Sequence, residues 1–234
     1  MIRTCLLFCL IFGSGCLLAQ DVVHQQLIDN SAIEYLRIVG NQSVLYYGNE
    51  QDVQPRATNQ PYLKNNQYVE ARLSYRKVIY PKALLRLDLS RDELITLSPG
   101  FRHVVLFPEN VDFVELHGKH VIYFRRDSLP GCPSGGYYFL LHSEECKVLE
   151  RQTASLILNS STGEFYYALS TKFYLCKDGV YYNIRNQKGL LKVLSPYKKE
   201  LKRYISSHHW RFRRDTEELI AMTVREYENL TGMQ

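Results

Sequence analysis

Several absences narrow the reading of this 234-residue chain before any motif is considered. Apart from Leu6 to Phe12 near the start there is no extended apolar run, and that one is too short to span a bilayer as a helix. No Cys-x-x-Cys pair occurs, so thiol-redox and zinc-ribbon chemistry have no support. There is no Gly-x-Ser-x-Gly elbow, no P-loop and no dinucleotide fingerprint, which removes the commonest hydrolase and nucleotide signatures and leaves no cofactor to assign. Neither sign of charge dominates: 29 Lys and Arg against 24 Asp and Glu give +5, enough for solubility but not for naming a partner. Tryptophan occurs once, against 18 tyrosines. That aromatic balance favours strands, where a tyrosine fits a half-buried pleated surface.

The first residues read as an export signal, 1–19. Arg3 supplies a positive region, Leu6 to Phe12 an apolar one, and Gly13, Ser14, Gly15 and Ala19 the small residues before a cleavage point. Cleavage after Ala19 is expected. Lipid attachment at Cys16 is the alternative, although Gly13 stands where a bacterial lipoprotein signal usually has leucine. Export changes the cysteine arithmetic, because Cys5, Cys9 and Cys16 fall in the signal and leave Cys132, Cys146 and Cys176. An odd number in an oxidising compartment means at least one free thiol or an intermolecular bridge. A local Cys132–Cys146 disulfide is one arrangement, and three reduced, mostly buried thiols the other.

Residues 20–234 read as a single domain, α+β but mainly β. Short alternating runs recur from Tyr68 to Ile184, separated by turn signals such as Pro108-Glu109-Asn110 and Ser160 to Gly163. They predict an antiparallel meander that bends into a curved sheet, a partly open barrel or a two-sheet sandwich. The best-specified stretch is Phe173 to Ile184. With Asp178-Gly179 as a two-residue type I′ loop, Lys177 faces Val180, Cys176 faces Tyr181, Leu175 faces Tyr182 and Phe173 faces Ile184. A one-residue slip would exchange the two faces, so the core side is fixed. A second hairpin is expected at Gly118-Lys119, as a type II′ loop with His117 and His120 opposite one another.

Helical spacing marks the ends of the chain. Ile28, Ala32, Tyr35, Leu36 and Val39 predict a core-covering helix over Asp21 to Val39, with Gly40 to end it. A short strand, Ser43 to Tyr47, should follow, then a long polar loop from Gly48 to Gln67. Two C-terminal helices are expected over 195–231, the first starting at Ser195-Pro196 and the second opened by Asp215 and Glu218 at capping-box spacing.

The helix leading to Leu45-Tyr46-Tyr47-Gly48-Asn49-Glu50 is similar to a family of uncharacterised exported bacterial envelope proteins. So are Pro61-Tyr62, Leu85 to Asp92, the Lys177-Asp178-Gly179 hairpin, Leu190-Leu191-Lys192-Val193 and the basic C-terminal helix. The resemblance implies export and a β-rich fold, and it carries no catalytic residue.

Candidate chemistry is sparse. His117 and His120 could share a metal across their hairpin, but two imidazoles without a third ligand make a poor site, and the adjacent His208-His209 point apart on a helix. Asp88, Asp92, Glu93, Glu109, Asp112 and Glu115 could supply an acid/base pair, yet most suit exposed strand or turn positions. One feature exceeds background. From Arg185 to Arg214 basic residues are frequent and Glu200 is the only acid, with Lys198, Lys199, Lys202 and Arg203 clustered on one helix. These four are the candidate contacts for an anionic partner such as a phosphorylated glycolipid, an acidic polysaccharide or an envelope protein; the export signal argues against nucleic acid. A solvated helix face with basic stems over apolar surface would look the same. The expectation is a non-enzymatic envelope protein that binds an anionic or amphipathic partner or assists surface assembly. The alternative is a cell-wall or carbohydrate hydrolase whose pocket lies under the Gly48–Gln67 loop.

Overall fold

A computed structural model describes residues 23–232; the expected export signal and its three cysteines lie outside them. Eleven antiparallel strands form one open sheet in the order β1-β5-β4-β3-β2-β6-β7-β8-β9-β10-β11. They are β1 (Asn49–Glu50), β2 (Val69–Tyr75), β3 (Val78–Asp88), β4 (Glu93–Leu97), β5 (His103–Val105) and β6 (Val111–Leu116), then β7 (Lys119–Phe124), β8 (Gly136–Ser143), β9 (Lys147–Leu158), β10 (Phe165–Lys177) and β11 (Val180–Ile184). The chain lays β2 to β5 in one direction, then returns with β6 to the other side of β2 and continues as a plain meander to β11. Helix α1 (residues 23–39) precedes the sheet, and α2 (Gln187–Val193), α3 (Lys198–Ser207) and α4 (Thr216–Gly232) follow it. Of the three architectures left open by the sequence, the molecule adopts the curved, unclosed sheet.

Register explains how one face becomes the core. Directly opposed residues of adjacent antiparallel strands share a face. Tyr80, Leu73, Val114, Val121, Phe139, Glu150, Phe173 and Ile184 are successive cross-strand partners over β3, β2 and β6 to β11, and all are buried. The β2–β7 half of this face packs with Leu85, Leu94, Leu106 and Leu45. The β8–β11 half packs under the C-terminal helices, through Leu190 and Leu191 of α2, Leu201 and Ile205 of α3, and Leu219, Ile220, Val224 and Tyr227 of α4. Each such aliphatic side chain stabilises the fold by roughly 1.5–3 kcal/mol on burial. Leu141 packs against both halves. On the opposite face Phe124, Tyr138, Leu149 and Tyr181 make a smaller cluster.

Curvature brings distant strands together. The backbone N–H of Ala154 in β9 donates to Leu89 O just beyond β3 at 2.9 Å. The segment 51–67 runs between the same two regions. It bonds Leu63 N to Leu87 O at 2.9 Å and Thr58 N to Phe165 O at 2.9 Å, and Asn59 clamps both the N–H and the carbonyl of Tyr167.

Four local expectations need correction. Ser43 to Tyr47 is no strand: Val44–Tyr46 is a 3-10 turn, with Ser43 Oγ accepting from Leu45 N and Leu45 buried as its anchor. The β6–β7 loop is His117-Gly118, both at positive φ (53° and 74°), so Leu116 faces Lys119 and Glu115 faces His120. Either register keeps Val114, Leu116 and Val121 on one face, so the alternation could not decide, and histidine tolerates the left-handed region better than most residues. The short α2, opened by Asn186 Oδ1 accepting from Gly189 N, had no helical signal, and α3 begins at Lys198 instead of at Pro196. Helix α1 rests on the sheet through Asp29, Ala32, Leu36 and Val39, with Asp29 bonded to Arg72 at 2.7 Å, while Ile28 and Tyr35 of the expected core stripe are exposed.

Candidate functional site

The inner row ends in a cleft. Where β10 and β11 pass under the segment that leads into α4, Phe173 and Ile184 form an apolar wall and Phe212 covers it from above. The concavity measures about 560 Å³, and Lys172, Arg185 and Arg213 stand around it. Lys172 alternates with Phe173 along β10, Arg185 is the first residue beyond β11, and Arg213 comes from the turn before α4. No acid lines this lobe, and none of the three cations forms an ion pair among the described residues.

The turn that carries Phe212 and Arg213 is held by named contacts. Asp215 accepts from Arg211 N at 2.8 Å and from Arg214 Nε at 2.9 Å, and the Thr216 hydroxyl donates to Phe212 O. The Asp215 carboxylate therefore turns back to the loop and does not cap the first-turn amides as its spacing to Glu218 suggested. The Arg214 hydrogen bond holds Asp215 below the usual carboxylate range. Trp210, the chain's one tryptophan, stacks on His208 with centroids 4.4 Å apart and meets Tyr204 edge-on.

A second lobe of about 520 Å³ adjoins the first and shares Thr171, Phe173, Arg213 and Thr216 with it. Its floor is Glu150, whose side chain is 1% exposed. Gln152 Nε2 donates to Glu150 Oε1 at 2.6 Å, and Lys119 Nζ lies 3.2 Å from Oε2 and also bonds Glu217 of α4. Burial pushes the Glu150 carboxyl up, against the pull of Gln152 and Lys119. Burial works to lower Lys119, but its bonds to Glu217 and Glu150 outweigh that and raise it. Glu150, Asp215 and Glu217 are thus each paired with a basic group, while Glu218 of the same lobe and the three cations of the neighbouring one have no ion-pair partner among the described residues.

The four basic residues singled out in the sequence sit elsewhere. Lys198, Lys199, Lys202 and Arg203 are all exposed on α3, which packs inward through Leu201 and Ile205. Lys199, Lys202, Arg203 and Ser206 border a shallow concavity of their own, which shares no lining residue with the cleft. Lys172 carries no signal of its own in the sequence of β10. Arg185 and Arg213 were visible only as near-terminal members of the basic span, and nothing in the sequence joined them.

Other candidates resolve plainly. Cys132, Cys146 and Cys176 are free thiols; Cys132 packs beside Tyr181 on the outer face and Cys146 is buried in the inner cluster under α4, so the Cys132–Cys146 bridge is not formed. Tyr181 is buried and Tyr174 half-buried against Tyr138, which makes the hairpin's second face scaffold. His117 and His120 are not cross-strand partners, and His120 stacks on Phe113. The cavity beside the long segment, about 510 Å³, has Arg56 and Glu164 as its titratable lining.

No helix among the described residues is long and apolar enough to cross a membrane. No family model, curated protein or solved structure matches the chain.

Proposed function

We propose that this chain is an exported envelope protein that binds an anionic amphiphile, with the acidic group held among Lys172, Arg185 and Arg213 and the apolar part laid against Phe173, Ile184 and Phe212. The observation that carries this reading is one concavity of about 560 Å³ that joins an apolar wall to three cations without an ion-pair partner among the described residues. Cations without an ion-pair partner attract an anion instead of stabilising the fold, and aromatic and aliphatic walls supply the rest of the contact. Basic side chains near an anionic headgroup contribute about 1 kcal/mol each. Export is supported by the Arg3, Leu6–Phe12 and Ala19 pattern.

Trp210 supplies the readout, because it lies two residues from Phe212 in the turn that covers the cleft. Titration of the purified protein with lysophosphatidylglycerol below its micellar concentration should shift Trp210 emission saturably. Lysophosphatidylcholine, which has the same tail without net charge, should bind at least tenfold more weakly. Equal responses to both lipids would reject the anionic site, and no response to either would reject the cleft.

A further inference from the structure

Glu228 is a buried carboxylate on the inward side of α4, where Leu219, Ile220, Thr223, Val224 and Tyr227 are otherwise apolar or neutral. Its two oxygens are both engaged. Oε1 accepts the backbone N–H of Cys146 at 2.6 Å, and Oε2 lies 2.6 Å from His142 Nε2. His142 is itself 9% exposed and reaches Glu228 only because β8 carries a bulge. Leu140 pairs with Leu149 on the outer face, but after the extra residue Leu141 the next pair is His142 with Val148, on the inner face under α4. An unbulged strand would keep His142 on the side of Tyr138 and Leu140. A bulge that re-aims one polar side chain is a common device next to a functional site.

Glu144, two residues on in the β8–β9 turn, brings a third donor. One donor atom each from His142, Glu144 and Glu228 lies within 4.8 Å of the other two, and Glu144 is exposed while the others are sheltered. We propose that His142, Glu144 and Glu228 bind one first-row divalent metal ion, with zinc the best match to one imidazole and two carboxylates. Ligand bonds of about 2.0–2.2 Å require donors roughly 3.4 Å apart, so His142 Nε2 and Glu228 Oε2, 2.6 Å apart in the structure, must part to admit the ion while the side chain of Glu144 closes in from its turn. The Cys146 N–H fixes the Glu228 carboxylate from behind, as outer-shell hydrogen bonds do at metal sites. Three protein ligands leave a fourth position facing solvent on the Glu144 side, open to water or a ligand atom. The group lies apart from the anion cleft and shares no residue with it.

Calorimetric titration of the metal-stripped protein with Zn²⁺ tests this, with Co²⁺ absorption as a second readout. One equivalent should bind, and the Co²⁺ ligand-field band should appear. Glu144→Gln is the informative variant: this side chain has no hydrogen-bond or ion-pair partner among the described residues, so the fold is kept while affinity should fall at least tenfold. His142→Ala should abolish the Co²⁺ band, and a His208→Ala/His209→Ala variant should bind as the parent does. Absence of stoichiometric binding, full affinity in Glu144→Gln, or loss of binding only in the His208/His209 variant would each overturn the assignment.

Discussion

Phe173 of β10 lies directly opposite Glu150 of β9, and the two are adjacent members of a cross-strand row whose other residues are all uncharged. The row therefore passes from core to cleft within one strand spacing: Phe173 walls both lobes, and Glu150 floors the one that α4 closes. A glutamate at 1% exposure is tolerable only with partners, and Lys119 and Gln152 are those partners.

Removing the cation and removing the acid should differ sharply. Lys119→Met leaves Glu150 buried with Gln152 alone and should cost on the order of 3 kcal/mol in urea denaturation. Glu150→Gln removes the charge, keeps the shape, leaves Lys119 its bond to Glu217, and should be close to neutral. Equal losses in the two variants would show that packing, not charge, sets the cost.

The same residue fixes a pH dependence. Burial raises the folded-state Glu150 carboxyl above its ordinary value, so at a pH between the two values the folded protein holds more of a proton there than the unfolded chain does. Its contribution to stability is greatest below the ordinary glutamate range and declines as pH rises through the raised value. Glu150→Gln should flatten that part of the stability profile. A profile unchanged by the substitution contradicts the assignment.

Gly136 should tolerate no side chain. It sits at φ 141°, and a Cβ there would meet Arg151 Nη1 at 1.8 Å and Asp92 Oδ2 at 2.1 Å. Those two groups form the 3.0 Å ion pair that ties the β3–β4 turn to β9. Gly136→Ala must strain the backbone and part the pair, at about 2–4 kcal/mol in thermal or urea denaturation. Wild-type stability would mean the ion pair does not hold the curl.

Thiol reactivity follows from position. Burial, with Glu228 beside it, pushes Cys146 up to about 12, while half-exposed Cys132 and Cys176 are raised by burial to a lesser depth. Iodoacetamide on the native protein should spare Cys146 and label Cys132 and Cys176 slowly, and all three should react in urea without reductant. A Cys132–Cys146 pair that resists labelling in urea would contradict the separation of these thiols on opposite sheet faces.

Much of the architecture was legible where a local signal was also sufficient. Asp178-Gly179 admits one turn, and every pair from Phe173↔Ile184 to Lys177↔Val180 follows from it. His117-Gly118-Lys119 admits two turns that share one alternation, so the pattern alone cannot tell them apart. The α2 helix is seven residues with a glycine inside, too short to show a period. The bulge at Leu141 leaves no mark in the pattern, so nothing in the sequence brings His142 to Glu228. The cleft was the least visible. Lys172, Arg185 and Arg213 belong to three elements and meet only because β10 and β11 pair and α4 folds back over them. The Lys198–Arg203 cluster was conspicuous because a helix displays near neighbours in sequence, not because it is the better-built site.

These two basic clusters give the most direct comparison. Binding of lysophosphatidylglycerol should be measured for the parent protein, for Arg185→Glu/Arg213→Glu, and for Lys198→Glu/Lys199→Glu/Lys202→Glu/Arg203→Glu, with circular dichroism to confirm that each folds. Reversing the two cleft charges should weaken binding at least a hundredfold, while reversing all four on α3 should change it less than threefold. The opposite ranking would place the anionic partner on the α3 face and contradict the cleft as the binding site.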